Sequence, residues 1–476
     1  MCRRPGSLPA LLTTCLWLAG TIVPGRAQMN MPGVENSVGF QASATSIEPL
    51  TTSESSSMLH RSLGNWTLMF HANAFVADIQ QSGPRGRDKL FSTNWLMPML
   101  IRQFGRQTLS VRTMLSFEPA TISKRQYPLL LQTGESAYGL SIVDGQHPHD
   151  FVMELAGRYE FKLAEHSQVF AYGGPVGEPA LGPTGFPHRS SASENPIAVL
   201  GHHGQDSTHI ATNVVTLGFI QGPMQLEAST FHGREPNENR WNIDTGMPDS
   251  FSTRLTVSPH KSLSAQFSTS RINNPEALDP TLDTVRTTAS IHHNVQWGSG
   301  HISSSVIWGR NKDLKGGSRR IFNSYDLEIT AKFRRRNWIW TRIENVDRDR
   351  SLLPVQSGAQ SPACLLGGVV GAASSRIDDS TEVAQFKHVV LGPEGKPVTV
   401  DEVPIGRIQS YTVGYERELP VGPSWLNVGL GGQFTISTVT AQLKAVYGNR
   451  PSTAVVFLRL RPQGNMSAHM RAMHGL

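Results

Sequence analysis

The chain has 476 residues, with 43 Lys and Arg against 37 Asp and Glu, three cysteines and a charged fraction of only 17%. After the first 27 positions there is no further run of ~18 apolar residues, which excludes a helical membrane protein. Scattered arginines with no basic segment argue against a nucleic-acid partner.

Residues 1–27 carry the three parts of a secretory signal peptide. Arg3 and Arg4 form the positive start, Leu8 to Val23 is the apolar run, and Gly25 and Ala27 put small residues at −3 and −1 before Gln28. An N-terminal anchor is the alternative, but the run is shorter than the ~20 residues a spanning helix needs. Cleavage removes Arg3, Arg4 and Arg26, so Lys and Arg fall from 43 to 40 against 37 acidic groups, a net charge of +3. Cys2 and Cys15 leave as well, and Cys364 remains alone, without a disulfide framework or a cysteine metal site.

Residues 28–60 are rich in Ser, Thr, Pro and Asn without a period, and are expected to be a flexible periplasmic leader. From Asn65 onward short alternating segments recur between Gly, Pro, Asn and Asp. Phe251, Thr253, Leu255 and Val257 share one face, and Ser252, Arg254, Thr256 and Ser258 the other. Tyr325, Leu327, Ile329, Ala331 and Phe333 oppose Ser324, Asp326, Glu328, Thr330, Lys332 and Arg334 in the same way. Sixteen such segments lie near 65–79, 89–104, 108–118, 149–161, 166–173, 209–219, 224–234, 250–257, 262–271, 283–297, 301–311, 321–333, 337–347, 405–418, 425–435 and 452–461.

Links after the even-numbered segments are short, and links after several odd-numbered ones are long, reaching 120–148, 174–208 and 348–404. Tight periplasmic turns on one rim and long extracellular loops on the other produce this exchange. The expected fold is therefore all-β: a single closed antiparallel transmembrane barrel of about sixteen strands over 61–461. Its apolar face would meet outer-membrane lipid and its polar face a wet lumen, with Glu227, Arg254, Arg286, Asp326, Glu328, Lys332 and Arg342 as pore-lining residues. Trp66, Trp95, Trp241, Trp297, Trp308, Trp338, Trp340 and Trp425 lie near strand ends, as interfacial girdles would. The Gly- and Pro-rich 174–208 loop could fold in as a constriction. An even strand number puts both termini in the periplasm.

Seven of the 17 histidines fall between 147 and 209. His147, His149, Asp150, His188, His202, His203, Asp206 and His209 are candidate metal ligands, since imidazoles with a carboxylate suit zinc, copper or iron. The alternative is a polar network that ties the long loops together. Asp206, Ser207 and His209 contain the residue types of a hydrolytic triad, but at that spacing nothing makes them converge, and no enzyme is expected. A second metal candidate is the 462–476 tail, where Met466, His469, Met470, Met473 and His474 crowd together. Met29, Met31, Met58 and His60 could add thioether and imidazole ligands for Cu(I).

The Ala44–Pro49 stretch, the Asn65–His71 strand, the Asp144–Asp150 stretch (with His-Pro-His-Asp), Phe186–Arg189, His202-His203 through Asp206-Ser207-Thr208-His209, and Phe231–Pro236 resemble a family of Gram-negative outer-membrane, porin-like barrels. The match covers most of 44–461. The Met- and His-bearing ends are distantly similar to copper-resistance outer-membrane proteins. The resemblance implies an outer-membrane location more than a mechanism. The leading functional expectation is a channel for small polar solutes or ions. The other is a protein that binds or handles copper or zinc through the rim histidines or the tail. A homo-oligomer, usually a trimer among porins, is compatible with this reading, although no residue demands it.

Overall fold

The computed structural model describes residues 38–54, 58–206, 210–353, 386–391, 395–401 and 404–463. The expected signal peptide, Met29, Met31, Ser207 to His209, Cys364 and the Met/His tail beyond residue 463 lie outside them.

Sixteen strands form the barrel: β1 (Trp66–Gln81), β2 (Lys89–Phe104), β3 (Gln107–Leu115), β4 (Val152–Ala164), β5 (Ser167–Gly177), β6 (Ala211–Gln221), β7 (Met224–His232), β8 (Ser250–His260), β9 (Leu263–Asn273), β10 (Asp283–Trp297), β11 (Gly300–Lys315), β12 (Ser318–Phe333), β13 (Asn337–Asp349), β14 (Pro404–Leu419), β15 (Leu426–Thr438) and β16 (Ser452–Pro462). Each pairs antiparallel with the next, and β16 closes on β1 from Thr453↔Gln81 to Leu460↔Ala74. Below that seam the short strand Leu59–Leu63 pairs with the start of the same β1 edge, from Leu59↔Phe70 to Leu63↔Trp66. Only His71 to Asn73 lie between the two pairings, a stretch too short to template another chain.

Period-two patterning sets the two faces. Leu217, Leu226, Phe251, Phe267, Ile291 and Val306 point outward and are exposed, while Ser229, Ser252, Ser268 and Thr288 point inward and are buried. A closed ladder pairs strand N–H and C=O groups within the chain, which hydrocarbon requires. This apolar exterior, with tight turns on one rim and long loops on the other, makes the protein an outer-membrane β-barrel. Trp95, Trp338 and Trp340 correct the girdle expectation: they are buried and face inward, whereas Trp241, Trp297 and Trp425 are exposed.

The interior is not the wet lumen expected from the polar strand faces. Three segments fill it. The first is the leader. Val38, Phe40, Ala42, Ala44 and Ile47 are buried, and Phe40–Gln41 pairs with Ile47–Glu48 as a small hairpin. Gln41 Nε2 donates to Glu160 (3.2 Å), Ser43 Oγ to Glu178 (2.9 Å) and Arg254 Nη2 to Thr45 Oγ1 (2.8 Å). Glu48 lies 3.2 Å from His292 Nδ1. Residues 38–52 are thus a docked plug, which corrects the expected flexible leader over those residues; 28–37 of the expected leader lie outside the described residues. The segment was misread because polar composition implies solvation only if water is the available polar surrounding; here the barrel wall supplies it.

The second segment is the loop after β5, the constriction foreseen at 174–208. Arg189, fully buried, donates to Glu328 (2.8 Å) and Asp206 (2.9 Å) and lies 3.8 Å from Asp326. Glu194 pairs with Arg459 and Arg461, and the Leu200 N–H donates to Glu344 (2.5 Å). The third is the hairpin Tyr127–Ala137 with Leu140–Gln146, folded from the loop after β3.

The plug carries a pH handle. Burial pushes the Glu178 carboxyl up to about 8, with Glu154 adding to the effect and Ser43, Arg112 and Arg254 opposing it. Undocking hydrates this carboxyl, and a carboxyl whose docked pKa is raised favours the docked state while neutral, so docking weakens as pH rises through about 8. Amide exchange at residues 41–48 should accelerate between pH 6 and pH 9 beyond the intrinsic base-catalysed rise, and Glu178→Gln should remove the excess. Equal protection at both pH values would refute it.

Candidate functional site

His202 and His203 open a one-turn helix, His202–Gln205, held against β10 and β11. The His203 carbonyl accepts from Arg286 Nη2 (2.6 Å) and Asn311 Nδ2 (3.0 Å). Gly309 on β11 makes room for this turn, since a Cβ there would sit 2.2 Å from the Gly204 carbonyl oxygen. His147 approaches from the segment between the folded hairpin and β4. Gly134 (φ +123°) in that hairpin passes close enough to His203 that a Cβ would lie 2.7 Å from the ring.

The result is a cluster of three imidazoles, His147, His202 and His203, with potential ligand atoms within 4.8 Å of one another. Glu135 joins them, its Oε1 2.7 Å from His147 Nε2, and is also paired with Arg240. Burial alone would raise the Glu135 carboxyl, but His147 and Arg240 outweigh it and hold it below the usual carboxylate range. Burial pushes His203 down to about 3, against the pull of Glu135. The site therefore offers a neutral imidazole beside a buried carboxylate.

The other expected ligands go elsewhere. The His149 N–H and Nδ1 both meet Glu118 Oε2, at 2.8 and 2.9 Å. Burial pulls the His149 ring down, yet the Glu118 carboxylate outweighs it and the pKa is raised. Asp150 faces Arg240 at 3.5 Å, and burial lifts its pKa to about 7. The His188 ring packs against Trp95, with centroids 4.3 Å apart and the planes tilted by 58°. Asp206 accepts from Arg189 and from the Phe186 N–H (3.0 Å). His209 is outside the described residues. The expected pore-lining residues are committed to one another, to other residues of the barrel wall or to the loops. Arg254 donates to Glu227 (2.8 Å), Arg286 to Asn311 (2.8 Å), Arg342 to Glu328 (3.0 Å) and Lys332 to Glu418 (3.1 Å). Glu135, Arg189 and Arg240 carry the site and its neighbourhood; Arg189 ends the Phe186–Arg189 stretch noted in the sequence, whereas nothing in the local sequence marks out Glu135 or Arg240.

Among the described residues, three of the cavities run in a row along the filled interior. The outermost, ≈160 Å³, is walled by seven carboxylates, among them Glu135, Glu235, Glu276 and Asp313, and by three arginines and a lysine, with His203 at its floor. The middle one, ≈30 Å³, contains His147 and His149. The innermost, ≈70 Å³, shares Asn73, Trp95, Pro187 and Ser193 with the middle one and reaches His71, His301 and Arg461 beside the short turns. The rings of His147 and His203, 6.1 Å apart, separate the outer cavity from the middle one.

No family model and no curated protein sequence matches the chain. Among solved structures, the barrel is similar to an anion-selective porin from Comamonas acidovorans (13% identity, 83% of this chain and 99% of that one, TM-score 0.45). It is also similar to Salmonella typhi OmpF in complex with daunomycin (8%, 85% and 100%, TM-score 0.47). A third likeness is to OmpT, an outer membrane protein of Vibrio cholerae, in its trimer form (8%, 84% and 100%, TM-score 0.41). These are likenesses of barrel to barrel.

Proposed function

We propose that the protein is a constricted outer-membrane channel, porin-like in its wall but filled inside, for ions and the smallest polar solutes. The observation that supports this is the row of three small cavities between the long-loop rim and the short-turn rim. An empty barrel of sixteen strands encloses a wide aqueous channel. In this one, the plug at 38–52 and the loop after β5 occupy most of that space, so passage is restricted to species that fit between histidine, glutamate and tryptophan side chains.

In planar bilayers the full-length protein should conduct in steps well below those of an open sixteen-strand porin recorded alongside. Proteoliposomes should fail to swell in arabinose or glucose. Absence of any steps would sink the channel reading, and rapid sugar entry would sink the constriction.

A further inference from the structure

We propose that His147, His202 and His203 form a binding site for one first-row divalent cation of the zinc, cobalt and copper class, with Glu135 as its carboxylate. This deepens the channel reading, on which it rests, by naming the solute class that the constriction selects.

The hydrogen bonds around two of the three rings have the arrangement of a metal site's outer shell, in which a ligating imidazole anchors its second nitrogen to an oxygen, and the His203 Nδ1 lies 4.0 Å from Glu235. The His147 Nδ1 faces the Pro148 carbonyl at 2.9 Å, so that nitrogen carries the hydrogen and donates it. Its Nε2 points at Glu135. For His202 the tautomer is fixed from a distance. Arg348 donates to Gln132 Oε1 (3.1 Å), so the Gln132 amide nitrogen is the group that meets Gln146 Oε1 (3.0 Å). That oxygen then accepts from His202 Nε2–H (3.0 Å), which leaves the lone pair on Nδ1. His203 contributes Nε2, a buried atom with no hydrogen bond among the described residues.

Imidazole with a carboxylate is the donor set of zinc and its neighbours; calcium and magnesium prefer all-oxygen cages. Tetrahedral coordination with bonds of ~2.0–2.1 Å separates donors by about 3.3 Å. The ≤4.8 Å spread of the three nitrogens must therefore contract, and the 2.7 Å His147–Glu135 contact must open. Both changes are within side-chain rotation. Arg240 has a second carboxylate, Asp150, to hold as Glu135 turns. The outer cavity leads to the site and is walled by seven carboxyl and four basic groups; burial raises the Glu235 and Glu276 carboxyls, so the wall stands near charge balance and offers an entering cation carboxyl oxygens more than a strongly negative field.

Isothermal titration of full-length protein with Zn²⁺, and visible spectra with Co²⁺, read the site directly. The expected result is one equivalent bound, with a tetrahedral Co²⁺ band. His202→Ala and His203→Ala should each abolish the band, and Gln146→Leu, which leaves all ligands in place, should weaken Zn²⁺ binding about 10–100-fold. His166→Ala, on an exposed turn, should bind as wild type does, and heat-modifiable mobility on gels reports that each variant is folded. No stoichiometric binding by wild type, or unchanged affinity in folded His202→Ala, would overturn the proposal. Bilayer steps recorded on the same preparation separate the two readings: conduction without metal binding sinks only the metal site, and binding without conduction sinks only the channel.

Discussion

Replacing Arg189 with methionine should release the loop after β5 from the barrel wall. The guanidinium is completely buried and holds Glu328 and Asp206, with Asp326 beside them. Breaking a buried ion pair by removing one partner costs about 3–5 kcal/mol, because the remaining charge stays buried without its partner. At ~1.4 kcal/mol per factor of ten, the docking equilibrium constant should fall by about two to three and a half orders of magnitude. The strand ladder does not depend on Arg189, so the barrel should still fold and resist heat in detergent. The effect should appear as protease cleavage between residues 178 and 206 and as larger bilayer steps. Arg342 remains to neutralise Glu328, so Arg189→Met with Asp206→Asn should recover part of the docking. Unchanged cleavage and conductance in the single variant would show that the loop is held by other contacts.

Excising residues 38–54 should have the second large effect. That change removes the plug's bonds to Glu160, Glu178, Arg254 and His292 together with the buried Val38, Phe40 and Ile47. It leaves the seam intact, because Leu59–Leu63 still pairs with β1. Proteoliposomes of the shortened chain should swell in arabinose where the full-length protein does not, and bilayer steps should approach those of an open porin. If sugar exclusion survives, the loop after β5 alone seals the lumen.

Much of this architecture was legible in the chain. All sixteen expected segments coincide with barrel strands, because lipid outside and polar groups inside impose an alternation that each strand carries locally. The alternation of short turns and long loops then oriented the barrel. Cross-strand charge pairs were readable in principle once register was known: Glu227 lies opposite Arg254 and Glu328 opposite Arg342. Edges shifted where loops took over, as at Val152, where β4 begins three residues after the expected start.

The lumen and the site were not legible in the same way. His147 is 55 residues from His202 in the sequence, and their meeting depends on how two long loops fold back into the barrel. Glu135 sits among ordinary loop residues, and only the close pass of Gly134 over His203 brings it to the cluster. His149, Asp150 and Asp206 looked equally eligible until Glu118, Arg240 and Arg189 engaged them. The sequence by itself determined the barrel, because strand periodicity is a local property that every segment repeats. Only the tertiary structure decided that the barrel is plugged and where three imidazoles converge, because a polar segment gains as much from buried charged partners as from water, and the chain does not state which of the two it will meet.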